Sequence, residues 1–217
     1  MTVSLTPFAA EPVPQALLDR WRRIPVAVTV DLTPSHQVDP AIRPLRPAGQ
    51  QPALFGRAVT ARCTPPDFGA VLHAVGAITA GEVLVIDAGG RTSHAMIGDI
   101  LGGHLHRQGA AGLVCDGAVR DVAGLAAMKG LSVYSRAVNP LGPTTAHRGE
   151  VNGAGKLGGI TVAPGDLLMG DDDGLVALPP PLLARLIDAA EAKLRLEAEW
   201  TARLTAGEPI RKIFKLD

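Results

Sequence analysis

Three short apolar runs restrict the fold of this chain more than any other feature of its sequence. They occupy residues 82–87 (EVLVID), 112–116 (GLVCD) and 131–135 (LSVYS). Runs that are almost continuously apolar are typical of strands buried on both faces, as in a parallel sheet. The segments between them, residues 97–109 and 119–128, each have the length and apolar spacing of a helix. This alternation of strands and helices predicts an α/β unit with a parallel sheet and right-handed crossovers.

The flanking segments predict further elements. Ahead of the unit these are two helices, two strands and a proline-rich loop: helices over 14–23 and 68–80, strands over 26–31 and 53–63, and the loop over 33–52. Behind it, short apolar runs alternate with Pro-Gly-Asp and Asp-Asp-Gly turns, which favours an antiparallel layer. Those runs are residues 160–162, 167–169 and 175–177.

Length and composition fit one domain. The 217 residues suffice for one sizeable core, and 47% of them are apolar and 19% charged, as in globular proteins. We therefore predict a single domain over residues 1–217, in which residues 1–24 form an N-terminal extension. A long helix over about 181–206, ending before Gly207, closes the chain.

Charge and hydropathy argue against several classes of partner. Lysine plus arginine equals aspartate plus glutamate at 21 each, which gives no basic excess for nucleic acid or an anionic membrane. No apolar run approaches the ~18 residues that span a bilayer, and residues 1–23 lack the order of a signal peptide. Cys63 and Cys115 lie in strand-like runs, where buried free thiols are expected. We predict a cytoplasmic protein with no nucleic-acid or membrane partner.

The densest group of chemically active residues lies at two neighbouring strand ends. Gly98 and Asp99 follow the strand over 82–87, and Arg120 and Asp121 follow the next strand. The carboxyl ends of parallel strands share one edge, where open α/β sheets bind ligands, and a helix beginning near Gly98 would direct free amides at an anion. Taken alone, Arg120 and Asp121 also fit an ordinary solvated helix start. Spacing does not decide between these interpretations.

Four other possible sites in the sequence, a Schiff-base lysine, a zinc cluster, a calcium loop and a phosphate loop, are disfavoured. None of the five lysines has the apolar pocket that a Schiff-base lysine needs. His104 and His106 are two apart on a predicted helix and face different directions, which disfavours a zinc cluster. Residues 171–174 (DDDG) lack the glutamate of a calcium loop and predict a tight turn. Lys156 is followed by leucine rather than serine or threonine, so no phosphate loop is indicated.

The runs IDAGG, GDIL, GLVCDGAVRD and PGDLLMGDDDGLVALP resemble the family of the class II 4-hydroxy-4-methyl-2-oxoglutarate aldolases. That family also contains the 4-carboxy-4-hydroxy-2-oxoadipate aldolases and the regulators of ribonuclease E activity. The resemblance spans about residues 53–207. Its most specific element is the spacing of twenty residues between Gly98-Asp99 and Arg120-Asp121. It implies a swivelling β/β/α sandwich with parallel and antiparallel β layers, assembled as a homotrimer or a dimer of trimers.

The resemblance implies how a substrate would be held. Four backbone amides would bind the pyruvyl carboxylate of a 2-oxo acid: those of Gly98, Asp99, Ile100 and Leu101. Arg120 would bind the substrate and stabilise enolate charge, for which a guanidinium offers two parallel donors.

The resemblance also implies a metal cofactor, Mg²⁺ or Mn²⁺. Asp121 would carry it, with water in most other positions, and Asp99 would orient or activate one of those waters as an acid/base. Glu197 or Glu199 from a neighbouring subunit would reach the water shell. Magnesium suits such a site because it binds hard oxygens and keeps several waters.

The implied activity is retro-aldol cleavage of 4-hydroxy-4-methyl-2-oxoglutarate, or a related 4-hydroxy-2-oxo diacid, to pyruvate and a 2-oxo acid. Oxaloacetate decarboxylation should accompany it, because loss of CO₂ leaves the same enolate. The alternative is a non-catalytic regulator of ribonuclease E and RNA decay. Regulators of that branch typically lack an acidic residue at the position of Asp121, so this chain, which retains Asp99 and Asp121, favours the enzyme.

Overall fold

This computed structural model describes residues 2–216 of the chain. These residues contain twelve strands and seven α-helices. The strands are β1 (Ser4–Leu5), β2 (Arg43–Pro44), β3 (Leu54–Arg62), β4 (Glu82–Asp87), β5 (Ala95–Ile97), β6 (Gly112–Val119), β7 (Ser132–Val138), β8 (Glu150–Val151), β9 (Gly155–Leu157), β10 (Ile160–Val162), β11 (Leu167–Gly170) and β12 (Leu175–Leu178). The helices are α1 (Gln15–Trp21), α2 (Val26–Leu32), α3 (Gly69–Ala77), α4 (Asp99–Arg107), α5 (Val122–Ala127), α6 (Pro180–Thr205) and α7 (Ile210–Phe214).

The predicted parallel unit is confirmed. Strands β3, β4, β6 and β7 lie side by side in that order and run parallel. Helices α3, α4 and α5 lie between these strands in the chain and cover one face of the sheet, where Leu84, Ile86 and Cys115 pack against Leu105 and Leu125. The crossovers bring the carboxyl ends of all four strands to one edge of the sheet.

The predicted antiparallel strands form a second layer. Strands β11 and β12 pair antiparallel, and β9 and β10 form a separate antiparallel hairpin. Alternate residues of the parallel sheet, such as Val83 and Val85, point towards this layer and pack with Leu168 and Leu175. The two layers are not independent sheets, because residues 54–57 of β3 also pair with β11. The result is a mixed parallel and antiparallel single-domain α/β fold, as predicted.

The second layer has its own helical cover. Its outward residues Leu167 and Met169 pack with Trp21 of α1 and with Leu183 and Ile187 of α6. The Trp21 indole N–H donates to the Leu183 carbonyl at 3.1 Å. The predicted C-terminal helix is thus confirmed to within one residue at each end, and its first half closes this core.

The strand predicted over residues 26–31 is wrong, because these residues form helix α2. The run VAVTVD is rich in β-branched residues, which favour strands in general. Here Pro25 begins a helix, and the first free amide, that of Val26, donates to the Asp171 carboxylate at 3.1 Å. The buried face of α2 packs on the core beside α6. Tertiary packing therefore overrides the local preference.

Two smaller predictions concern cysteines and membranes. Cys63 and Cys115 are free and buried, as predicted, and burial raises the pKa of the Cys63 thiol to about 12. Among the helices of residues 2–216, none is long and apolar enough to cross a bilayer.

Candidate active site

Gly98 is the turn that joins β5 to α4 at the carboxyl edge of the sheet. The helix predicted to begin at Ile97 begins instead at Asp99, because residues 95–97 form β5 and pair with the end of β6. A Cβ placed on Gly98 would collide with the Asp121 carboxylate and would lie 3.0 Å from Cγ of Arg120. Only glycine allows the backbone to approach these two side chains so closely.

The N-terminus of α4 presents backbone amides beside these side chains. The first intrahelical hydrogen bond runs from Gly102 N–H to the Gly98 carbonyl at 2.9 Å. Helix geometry therefore leaves the amides of Asp99, Ile100 and Leu101 without an intrahelical acceptor. The Asp99 amide makes a long contact of 3.4 Å to Oδ2 of Asp121. These amides and the positive end of the helix dipole suit an anion.

Arg120 and Asp121 reach the same place from β6. The Arg120 amide donates to the Ile97 carbonyl at 3.0 Å, which ties the end of β6 to β5. Asp121 has a left-handed backbone, φ 54° and ψ 44°, and precedes α5. This sparsely populated conformation costs about 1 kcal/mol or more in a residue other than glycine. It reverses the chain immediately after the strand, so that Arg120 and Asp121 both face the N-terminus of α4.

The two side chains touch only loosely. Oδ2 of Asp121 lies 3.4 Å from Nε of Arg120, and both side chains are about two-fifths exposed, at 42% and 41%. Charge-assisted hydrogen bonds are normally about 2.7–2.9 Å long. Neither group is therefore locked into a structural ion pair, and both remain available to a ligand.

These groups line one cavity of about 290 Å³. Five of the six predicted site residues contribute to its wall, namely Gly98, Ile100, Leu101, Arg120 and Asp121. The sixth, Asp99, lies beside it, and its side chain rests against Gly124 of α5. The structure thus brings the two predicted strand ends together, whereas the role predicted for the Asp99 carboxylate remains a prediction.

The loop over residues 139–148, which sequence reasoning missed, completes the wall. Pro143 lines the cavity. A Cβ on Gly142 would collide with the guanidinium of Arg120, so the loop backbone lies directly on that group. This contact joins segments far apart in the chain, and no local pattern signals it.

Asp67 fastens this loop to the start of α3. Its buried carboxylate accepts hydrogen bonds of 2.9–3.1 Å from four donors: the amides of Gly69, His147 and Arg148 and the hydroxyl of Thr145. Burial by itself would raise the pKa of Asp67, but these hydrogen bonds outweigh it and lower the pKa to about 2.

We expect Asp67→Asn to destabilise the protein at neutral pH by about 2 kcal/mol, which corresponds to the shift from 3.8 to about 2. A lowered folded-state pKa means that this stabilisation is present above pH 4 and is lost as the pH falls through about 2. Urea unfolding at pH 7 and pH 2.5 should show the wild type approaching the variant at the lower pH. Asp173→Asn, in an exposed turn, removes the same charge as a control. Equal urea midpoints for wild type and variant at pH 7 would contradict this role.

Arg46 is a second supporting residue that sequence reasoning missed. Its buried guanidinium donates to four carbonyls at the C-terminal end of α5 and beyond, at 2.7–3.3 Å: those of Leu125, Ala126, Met128 and Leu131. Burial lowers its pKa. Because α5 begins directly after Asp121, this cap also fixes the element that positions the Asp121 carboxylate.

Two further aspartates, Asp87 at the end of β4 and Asp116 within β6, serve the hairpin of β9 and β10 rather than the cavity. Asp87 accepts from the Lys156 amide at 2.7 Å, and Asp116 accepts from the Gly158 amide at 2.8 Å and from Nε of Arg136 at 2.6 Å. Both carboxylates are buried. Their hydrogen bonds dock the hairpin onto the parallel sheet.

The donor set for a metal is small. Across the described residues 2–216, no three His, Cys, Asp or Glu side chains are grouped to hold an ion. A cation at Asp121 would have one protein carboxylate, with substrate and water as its other ligands. Magnesium and manganese accept such an arrangement, so the residues present fit the predicted cofactor.

The acidic residues predicted to reach a neighbouring subunit lie on α6. Glu197 is 3.4 Å from Nζ of Lys193, and Glu199 is 3.6 Å from Nη1 of Arg203. Neither lines the cavity of its own chain. Their contribution to a neighbouring site stays a prediction.

Sequence comparisons connect this chain to known proteins. The family model RraA-like, described as Aldolase/RraA, matches residues 19–177. A protein of Albidiferax ferrireducens named "Putative 4-hydroxy-4-methyl-2-oxoglutarate aldolase" is 37% identical over 165 residues, which cover 70% of this chain and 95% of that protein. A protein of the same name from Halalkalibacterium halodurans is 31% identical over 149 residues, covering 69% and 70%.

Solved structures share the fold. The RNA-processing inhibitor RraA from Thermus thermophilis superposes with a TM-score of 0.64 at 30% identity, over 71% of this chain and 92% of that one. An uncharacterized protein from Pseudomonas syringae pv. tomato gives 0.81 at 24% identity, over 94% and 98%. The latter likeness concerns the fold alone. Together with the mixed sheet, these matches confirm the predicted fold class.

Proposed function

The chain belongs to the RraA-like family, described as Aldolase/RraA, and we propose that it is a class II lyase that releases pyruvate from a 4-hydroxy-2-oxo acid. The names of the relatives suggest 4-hydroxy-4-methyl-2-oxoglutarate or a related diacid as substrate, and oxaloacetate decarboxylation would accompany cleavage. One observation carries the proposal. The free amides of α4, Arg120 and Asp121 converge on one cavity from two separate strand ends.

The pyruvyl carboxylate would lie at the N-terminus of α4. The amides of Ile100 and Leu101 point along the helix axis into the site, and Arg120 adds a full positive charge beside them. A planar carboxylate can accept two parallel hydrogen bonds from a guanidinium. This placement would leave the 2-oxo group directed towards Asp121.

Asp121 would hold Mg²⁺ or Mn²⁺. When bound, the cation acts as a Lewis acid that polarises the 2-oxo group and stabilises negative charge on its oxygen. The Asp121 carboxylate suits this role because it is partly exposed and its contacts to Arg120 and to the Asp99 amide are both 3.4 Å long.

The remaining chemistry is proton transfer and charge stabilisation. Cleavage removes the proton of the C4 hydroxyl, breaks the C3–C4 bond and leaves the electron pair on the pyruvyl fragment as an enolate, which is then protonated at C3. Arg120, beside the carboxylate subsite, would stabilise the developing charge. The side chain of Asp99, the first residue of α4, rests against Gly124 of α5 beside the cavity, where a water between its carboxylate and the substrate would relay the proton.

We expect pyruvate release to require a divalent cation. Purified protein assayed on oxaloacetate and on 4-hydroxy-4-methyl-2-oxoglutarate should lose activity to background in excess chelator and regain it with Mg²⁺ or Mn²⁺, because Asp121 is the only carboxylate lining the described cavity. Full activity in chelator, or borohydride trapping of substrate on a lysine, would rule out the class II mechanism.

A non-catalytic regulator of RNA decay is the second candidate. It is favoured by the likeness to the inhibitor from Thermus thermophilis at 30% identity. Under that hypothesis the protein would bind and inhibit ribonuclease E and would release no pyruvate from either oxo acid. Asp99 and Asp121, which this chain retains, support the enzyme instead.

We also propose that the protein is cytoplasmic and assembles as a homotrimer or a dimer of trimers, with Glu197 or Glu199 of a neighbouring subunit near the metal's water shell. The structure of α6 supports the assembly. Ala190 is the last residue of α6 that is buried, and Leu194 is the last that packs against the core; the remainder of the helix extends beyond it. It carries exposed apolar side chains, among them Leu196 and Leu204, which suit a contact with another chain.

A further inference from the structure

Two glycines lie against the side chain of Arg120, one beside its stem and one beside its head. A Cβ on Gly98 would lie 3.0 Å from Cγ of Arg120 and 3.3 Å from Nε. A Cβ on Gly142 would collide with Nη1 and would lie 3.0 Å from Cζ. Backbone from two separate segments, the β5–α4 turn and the loop over 139–148, therefore defines where the guanidinium can lie.

Both glycines are needed for space and not for backbone conformation. Gly98 has an extended backbone, with φ −139° and ψ −162°, and the φ of Gly142 lies outside the left-handed region. Residues with a side chain adopt such φ values without strain. A side chain at either position would instead occupy volume that Arg120 fills. A methyl group at position 142 therefore tests the contact with the guanidinium directly.

Asn139 fixes the loop at the point where it leaves β7. Its backbone amide donates to the carbonyl of Val119, the residue before Arg120, at 3.0 Å. Its side-chain Nδ2 donates to the Thr92 carbonyl at 2.7 Å, and its Oδ1 accepts from the Leu141 amide at 2.9 Å. One side chain thus joins the segment between β4 and β5 to the first residues of the loop.

Leu141 extends this restraint to Gly142. Its carbonyl accepts from the Ala95 amide of β5 at 2.7 Å, so both of its backbone polar groups are bonded immediately before Gly142. Pro140 and Pro143 restrict the loop further, because the proline ring fixes φ. The backbone that lies on the guanidinium therefore has little freedom to move.

We propose that Gly142 and Asn139 are positioning residues for Arg120, which hold its guanidinium in the orientation that meets the substrate carboxylate. This inference rests on the proposed pyruvate-releasing function and adds two residues to that site. The contact between Nε of Arg120 and Oδ2 of Asp121 is 3.4 Å long, too long to fix the guanidinium by itself. Packing against Gly142 supplies the missing restraint, so the donors of the guanidinium are oriented before the substrate binds.

Gly142→Ala is the first test, with Gly76→Ala as the matched control. The added methyl group forces the guanidinium or the loop to move, and a displacement of about 1 Å can cost about 100-fold in rate. With Mg²⁺ present, we expect kcat/KM for oxaloacetate to fall at least about tenfold, through a raised KM and a lowered kcat. Gly76 is exposed on α3, with open space where its Cβ would lie, so Gly76→Ala should keep the wild-type constants. A wild-type kcat/KM in Gly142→Ala overturns the inference.

A double-mutant cycle shows whether Gly142 acts through Arg120. The three atoms nearest to a Cβ at position 142 all belong to the Arg120 guanidinium, and lysine has no atom at the position of Nη1. Gly142→Ala should therefore cost less than about threefold when it is added to Arg120→Lys, against at least about tenfold in the wild type. Equal losses in both backgrounds would mean that Gly142 supports another part of the protein, and the inference would be wrong.

A measurement on Arg120 itself does not depend on turnover. In protein labelled with ¹⁵N-arginine, the Nε–Hε resonance of Arg120 is identified by its absence from Arg120→Lys, and its heteronuclear NOE reports picosecond-to-nanosecond motion. In the wild type we expect a value close to that of ordered backbone amides and well above that of the exposed Arg91. Asn139→Ala removes two hydrogen bonds of the loop without adding an atom, so it should lower the Arg120 value towards that of Arg91.

The two kinds of measurement separate this inference from the proposed function. If the wild type releases no pyruvate, the proposed function fails and the NOE alone decides. A mobile Arg120 in the wild type, or an Arg120 equally ordered in the wild type and in Asn139→Ala, then overturns the positioning role. A urea midpoint confirms that Asn139→Ala is folded. Should it not fold, Asn139→Asp takes its place, because aspartate keeps the acceptor for the Leu141 amide and loses only the donor to Thr92.

Discussion

Asp121→Asn is expected to lower metal-dependent pyruvate release by about 10³-fold while leaving the fold intact. Asparagine keeps the shape of the side chain, tolerates the left-handed φ of 54°, and still offers an oxygen to the Asp99 amide. What it lacks is the negative charge that would hold the cation. Losing Lewis-acid stabilisation of several kcal/mol corresponds to a rate loss of this size.

Two measurements separate this role from a structural one. Binding of Mn²⁺, followed by electron paramagnetic resonance in the absence of substrate, should weaken strongly in Asp121→Asn, whereas the urea midpoint should stay close to that of the wild type. Asp173→Asn removes the same charge from a turn elsewhere and should bind Mn²⁺ normally. Wild-type rates together with undiminished Mn²⁺ binding in Asp121→Asn would place the metal at another residue.

The parts of the fold that sequence predicted are those governed by local apolar patterning. The runs over 82–87 and 112–116 became β4 and the first part of β6, because burial on both faces leaves a continuous apolar signature. The run over 26–31 has the same signature and became a helix instead. What distinguishes it is contact with α6 and with the Asp171 carboxylate, and neither is visible in the run itself.

The candidate site likewise has a part that the sequence predicted and a part that it did not. Asp99, Arg120 and Asp121 were predicted to come together because parallel strand ends share an edge. Arg120 and Asp121 line one cavity with Gly98, whereas the Asp99 side chain lies beside it against Gly124. The loop that lies on Arg120 was not predicted. Its position depends on Asp67, whose hydrogen bonds join residues about 80 positions apart. Contacts of this kind leave no periodicity in the sequence.

The apolar side of the cavity was also not predicted, and for a related reason. Phe68 and Leu72 read as ordinary core positions of a helix, yet Leu72 is partly exposed and faces the cavity. Sequence patterning separates apolar from polar residues, but it does not separate the wall of a cavity from the interior of a core.

Arg120→Lys is expected to lower kcat/KM for 2-oxo acids by about 100-fold, a transition-state loss of roughly 3 kcal/mol. The Arg120 guanidinium has two tasks in this site. Its Nε lies 3.4 Å from Asp121 Oδ2, and the rest of the planar group lies under the backbone of Gly142 at the cavity wall. A lysine ammonium is a point charge on a flexible stem, so it cannot face the carboxylate of Asp121 and present two parallel donors to a substrate carboxylate at once.

The pattern of effects in Arg120→Lys should differ from that in Asp121→Asn. Because Arg120 carries no metal in this proposal, the lysine variant should bind Mn²⁺ about as well as the wild type. Its defect should appear as a raised KM for the 2-oxo acid together with a lowered kcat, since the same group binds the carboxylate and stabilises the enolate. Arg91→Lys, at an exposed position, is the matched control and should leave both constants unchanged. If Arg120→Lys retains wild-type kcat/KM, the anion subsite consists of the α4 amides alone, and Arg120 only supports the loop that lies on it.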